Sequence, residues 1–99
     1  MIIWTPRARA DLKAIYDHIV KDAPLNAKTV TQTLVHKTQT ALQIPLIGKK
    51  VAEVSDDNLR EISVYSWRIL YHIQLDKIYV LTLVHKRRNL QADEIPVEH

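Results

Sequence analysis

Residues 85–88 read His-Lys-Arg-Arg, directly after the apolar β-type run Leu81–Val84. A histidine changes charge near neutral pH and can serve as acid, base or hydrogen-bond partner. Clustered cations beside it attract phosphates and carboxylates. Three readings are open: a catalytic site, a docking surface for an acidic or nucleic-acid partner, or the solvated end of a strand. On extended backbone Lys86, Arg87 and Arg88 point to alternate sides, so they make one patch only if the chain turns after His85. Two other cation pairs stand apart, Arg7 with Arg9 and Lys49 with Lys50, the latter just after the single glycine, Gly48.

Several chemistries are excluded. There is no cysteine, so disulfides, thiolate metal sites and thiol nucleophiles are absent. His18, His36, His72, His85 and His99 are scattered without ligand spacing, so neither a metal nor another cofactor is expected. No G-x-x-x-x-G-K-[ST] stretch is present to cradle a nucleotide. The formal charge of +3 and pI near 9.3 are a mild basic bias, compatible with an acidic or nucleic-acid partner. With 46% hydrophobic and 25% charged residues, the 99-residue chain reads as one globular domain, residues 1–99, and not as a disordered segment. The opening MIIWTPRARADL has no long apolar stretch, and no run approaches a membrane span, so a cytoplasmic protein without membrane contact is expected.

The elements that must position these residues follow from periodicity. Ile2 to Trp4 is a short β-type run. Thr5-Pro6 starts a helix, because a threonine hydroxyl caps free N–H groups and proline at the first helical position loses no bond. Ala8, Leu12, Ile15 and Ile19 then form one apolar face. Pro24 breaks this helix. Asn26 is the expected cap of a second, with Ala27, Val30, Leu34, Ala41 and Leu42 facing inward, ending near Ile44. The stretch PLIGKKVAEVSDDN reads as a loop. LREISVY, WRILYHI and KIYVLTLVH read as three strands, the last apolar on both faces and so central. Short gaps at Tyr65–Ser66 and Gln74–Lys77 favour hairpins. The expected fold is α+β, in the order β-α-α-β-β-β. A helical hairpin, about 6–44, packs on a small antiparallel sheet, about 59–86, followed by a short tail, 87–99.

The ordered set IIWTPRARADLKAIYDHI, ALQIPLIGKK, LREISVYSWRILYHI and VLTLVHKRR resembles the ParE/RelE superfamily, small toxins of bacterial type II toxin–antitoxin modules. The likeness spans about Ile2 to Arg88. It rests on Trp4, Ala10-Asp11-Leu12, Pro45 with Gly48, Leu59-Arg60-Glu61, Arg68-Ile69-Leu70-Tyr71 and Val84-His85. The resemblance implies the same fold and a cognate antitoxin that wraps and blocks the toxin in a hetero-oligomeric complex. It also implies one of two targets. ParE-like members, of plasmid-stabilisation modules, poison DNA gyrase and are not nucleases. RelE-like members are metal-independent endoribonucleases acting on mRNA at the ribosome.

The RelE-like reading would use Arg68 against the scissile phosphate and His85 as proton-transfer group, with charge from Arg60 and Glu61 as a base. Two departures weigh against it. The tail NLQADEIPVEH carries no tyrosine where RelE has a catalytic one, and LREIS offers Arg60 alone where RelE pairs lysines. The expectation is therefore a ParE-like toxin acting by binding, with the ribosome-dependent nuclease and an inactive antitoxin-binding homologue as alternatives. Candidate contacts for target or antitoxin are Arg60, Arg68, His85, Lys86, Arg87, Arg88, Lys49 and Lys50. Arg68 is alternatively a strand-end arginine paired with Glu61 or Asp57, and His85 a structural histidine bonded to a loop carbonyl. Trp67 packs at the core or stacks on a base.

Overall fold

The computed structural model describes residues 1–96. The last three positions of the expected tail, 97–99, and with them His99, lie outside the described residues. Strand β1 (Ile2–Trp4) leads into helices α1 (Pro6–Asp22) and α2 (Pro24–Ala41). A 3-10 turn at Pro45–Ile47 precedes a two-residue strand, β2 (Lys49–Lys50). Strands β3 (Leu59–Val64), β4 (Trp67–Ile73) and β5 (Ile78–His85) complete one sheet, and a second 3-10 turn spans Ala92–Glu94.

The cap of α1 is built as its sequence requires: the Thr5 hydroxyl accepts from Ala8 N–H at 3.1 Å, and Pro6 occupies the first helical position. Helix α2 begins earlier than an Asn26 cap would place it. Pro24 fits the first turn of a new helix, so Ala23 is both the end of α1 and the start of α2, without a side-chain cap.

The sheet order is β1-β5-β4-β3-β2. Strands β2 to β5 pair antiparallel, while β1 lies parallel to β5 with Ile2 opposite Ile78. The sheet is thus mixed, because the helical hairpin carries the chain from β1 back to the same end. The extra strand β2 comes from the stretch read as a loop: Gly48 lets Lys49 and Lys50 lie beside Glu61 and Arg60.

Both faces of the sheet are covered. On one, Ala8, Ile15 and Leu34 from the helices meet Ile69, Tyr71, Val80 and Leu83. On the other, Val51 and the tail residues Leu90 and Ile95 cover Leu59, Leu70, Leu81 and Val84. This two-sided cover explains the apolar run of β5, which is an inner strand between β1 and β4.

Candidate functional site

The register decides which candidates can meet. Arg68 lies between Trp67 and Ile69, whose side chains face the helices, so its own side chain projects to the opposite face, where Leu70 lies. His85 is directly opposite Trp67 on β5, and the two rings make an edge contact with centroids 6.2 Å apart at 79°. Cross-strand partners share a face. Arg68 and His85 therefore project from opposite faces, and the structure does not bring them together over one position.

Arg68 is fully engaged. Its Nη1 and Nη2 donate to the two Glu53 oxygens at 2.9 and 3.0 Å, its Nε donates to Glu61 at 2.9 Å, and Nη2 also pairs with Glu61. The guanidinium is 14% exposed and Glu61 only 5%. The bond to Glu53, reinforced by Glu61, raises the guanidinium above its ordinary range, and the same bond lowers the Glu53 carboxyl below the usual glutamate range. Lys49 adds a second cation at 3.5 Å from Glu61. Lys50 pairs with Asp57 at 3.1 Å.

Arg60 is a loop clamp. It donates to the Gly48 carbonyl at 2.9 Å and to the Asp57 carbonyl at 3.0 Å, tying both loops that flank β2. The same region explains the Pro45 and Gly48 spacing. The buried Tyr71 hydroxyl donates to the Pro45 carbonyl at 2.6 Å and accepts from Gly48 N–H at 2.9 Å. A Cβ at position 48 would lie 2.6 Å from the Glu61 carbonyl oxygen and closer still to that hydroxyl, so only glycine fits. Burial pushes the Tyr71 phenol up.

The chain does turn after His85. Arg88 N–H donates to the His85 carbonyl at 3.0 Å, and Lys86 N–H donates to the Ser66 carbonyl at 2.8 Å. This sets the turn beside the two-residue β3–β4 turn, Tyr65–Ser66. The exposed His85 ring is a structural partner of its own turn: Nδ1 accepts from Arg87 N–H at 3.1 Å, a donor where a carbonyl acceptor was expected. Arg88 pairs with Glu94 of the tail. Lys86 and Arg87 are exposed and make no ion pair among the described residues.

Two residues outside the candidate set border this end. Tyr65 is 52% exposed and has a φ of 54°. Lys37 of α2 places its Nζ 5.7 Å from the centre of the Tyr65 ring. Its β propensity made Tyr65 a strand residue, whereas its place in a two-residue gap between strands was the signal for a turn. An open groove of about 550 Å³ runs between α2 and β3, with Lys37, Ile47, Lys49, Ile62 and Tyr65 on its walls. Among the described residues no group of histidines, aspartates or glutamates could hold a metal ion.

Comparison with known proteins places this arrangement. A solved structure described as "Chromosomal ParDE TA system from P. aeruginosa" is similar over 85% of this chain and 92% of its own, with a TM-score of 0.73 and 24% identity, which establishes the fold. No relative was found among curated proteins. Residues 2–90 match the family described as ParE toxin of type II toxin-antitoxin system, parDE. That match takes in both helices, the whole sheet and the turn after His85, and the chain belongs to the ParE toxin family.

Proposed function

We propose that this chain is a growth-arresting toxin that acts by binding, with DNA gyrase as its target in the cytoplasm, and that a cognate antitoxin neutralises it in a hetero-oligomeric complex. The observation that carries the choice of binding over RNA cleavage is the placement of Arg68 and His85. The arginine is held by Glu53 and Glu61 on one face, and the histidine closes a turn on the other. A phosphoryl-transfer site needs its cation and its proton-transfer group within reach of one phosphate. Family membership supports the toxin role and the existence of an antitoxin partner.

Of the eight candidate contact residues, Lys86 and Arg87 are the exposed cations that make no ion pair among the described residues, with His85 beside them. Arg60, Arg68, Lys49, Lys50 and Arg88 already have protein acceptors. An acidic antitoxin segment crossing the sheet would cover this end, and a positive patch speeds such association.

The direct test adds purified, antitoxin-free protein to a gyrase supercoiling reaction. Inhibition with a trapped cleavage complex is expected. Unimpaired supercoiling by folded protein overturns the target. Primer extension on mRNA from induced cells is the companion measurement: intact transcripts are expected, and cuts that vanish in Arg68→Ala while that variant stays folded would establish a nuclease instead. Induction without growth arrest would mark an inactive homologue.

A further inference from the structure

We propose that the sheet end formed by the Tyr65–Ser66 turn and the Lys86–Arg88 turn binds a single strand of nucleic acid, with the Tyr65 ring as a stacking platform and Lys37, Lys86 and Arg87 on the phosphates. The inference concerns a partner class and does not rest on gyrase being the target.

Tyr65 is the starting point. Its φ of 54° is the sole positive value among the described non-glycine residues, in a region where side chains with a Cβ are strained. Core packing does not explain it, since the ring is half exposed. A glycine or asparagine makes this turn at less cost. The strained position holds a flat aromatic surface at the sheet's edge, with Lys37 over the ring.

The distribution of cations is the second, independent observation. Several positive charges on the sheet and its loops have protein partners: Arg68 pairs with Glu53 and Glu61, Lys49 with Glu61, Lys50 with Asp57 and Arg88 with Glu94, and Arg60 donates to two carbonyls, with Lys49 and Lys50 remaining exposed. Among the described residues Lys37, Lys86 and Arg87 have no such acceptor and lie toward the Tyr65 end, while Lys77 is the corresponding cation of the β4–β5 loop at the other end of the sheet. The two turns are joined by the Lys86 N–H to Ser66 carbonyl bond at 2.8 Å, which holds them side by side. The groove between α2 and β3 continues the track from Tyr65 past Lys37 toward Lys49.

An exposed aromatic face flanked by cations suits a strand of bases and phosphates. Carboxylates alone would gain from the cations and nothing from the ring. A duplex keeps its bases stacked on one another, so the ring selects for a single strand.

The test is fluorescence anisotropy of a labelled oligothymidylate of about 12 nucleotides with the full chain, between about 50 and about 200 mM salt. Three phosphate contacts give a log–log salt slope of about −2. Tyr65→Gly relieves the backbone strain, so it should melt no lower than the parent while weakening binding by about fivefold to hundredfold, the range for one base–aromatic stack. Tyr65→Trp should retain affinity. Lys86→Glu with Arg87→Glu should flatten the slope by about 1.4. The proposal is overturned by no binding at about 50 mM salt, by unchanged affinity in Tyr65→Gly, by equal affinity for the matching duplex, or by equal affinity for a polyglutamate peptide of the same charge. Loss or retention of gyrase inhibition does not enter these readouts, so the two proposals fail separately.

Discussion

Arg68 is the residue on which the resemblance to nucleases leaned hardest, and its surroundings make it a structural cation. A buried carboxylate such as Glu61 is tolerated only while paired, because removing one partner strands the other's charge away from water. Arg68→Met should therefore destabilise the fold by about 3 kcal/mol, the low end for a broken buried pair, since Lys49 still touches Glu61. Urea titration of wild type and variant checks this, and a difference within error would mean the pair is effectively solvated. The same network predicts a pH dependence. The Glu53 carboxyl is lowered on folding by its bond to Arg68, so its contribution is complete above the ordinary glutamate value of about 4.3 and is lost as pH falls through the lowered folded value. Melting temperature should drop below about pH 4.3 more steeply in wild type than in Glu53→Gln. Equal pH profiles would remove Glu53 from the account. The sequence showed Arg68 and Glu61 seven positions apart on adjoining strands, and Glu61 was among the expected partners. Glu53 was not legible, because it sits in a loop whose path depends on Tyr71, Gly48 and Arg60 meeting across the fold.

At the scale of elements, Asp11 shows how a short motif positions a helix. Strand β1 covers β5 only as far as Val80, leaving the edge beyond it without a strand. There the pairing of β4 with β5 slips by one residue, since Leu70 faces Thr82 and Tyr71 faces Val80. Thr5 and Asp11 of the α1 region fill this gap. Thr5 donates its N–H to the Val80 carbonyl and its hydroxyl to the Leu81 carbonyl, each at 3.1 Å. The Asp11 carboxylate accepts from Leu83 N–H at 3.1 Å and from the Thr82 hydroxyl. The helices and strands were legible from spacing because periodicity records which face is buried. The parallel pairing of β1 was not, because register across the sheet depends on these side chain to backbone bonds between distant positions. Asp11→Ala leaves the Leu83 N–H without its acceptor and should cost about 1–3 kcal/mol. Asp11→Asn keeps an acceptor oxygen and should recover most of that loss. Hydrogen exchange at Leu83 is the discriminating measurement: protection should fall in the alanine variant and be restored in the asparagine one, and unchanged protection in both would show that water replaces the carboxylate.

The whole molecule consists of a sheet with a cover on each face, and the two covers differ in kind. The helical hairpin is long, capped by Thr5 at the start of α1, and continuous with the main core. The other cover is made by the loop around Val51 and by a tail held through Leu90, Ile95 and the Arg88–Glu94 pair. A half-open pocket of about 160 Å³ lined by Val54, Leu59, His72, Leu81 and Ile95 lies at the edge of this cover. The tail carries no tyrosine, and its Leu90 and Ile95 serve burial. Fully burying one large aliphatic side chain is worth about 1.5–3 kcal/mol, an upper estimate because unfolded chains already bury some surface. Ending the chain at Asn89 removes Leu90 and Ile95 together and should lower stability by about 3–5 kcal/mol on that basis. It also uncovers Leu59, Leu70 and Leu81 on an inner part of the sheet, where the helices give no compensation. The truncated chain should bind an apolar dye such as ANS at temperatures where the full chain does not, while its far-ultraviolet circular dichroism stays native. If it instead melts with the full chain and binds no dye, the tail would be only lightly docked. The second core would then end at Val51, and the basic turn at Lys86 and Arg87 would keep its geometry without help from Glu94.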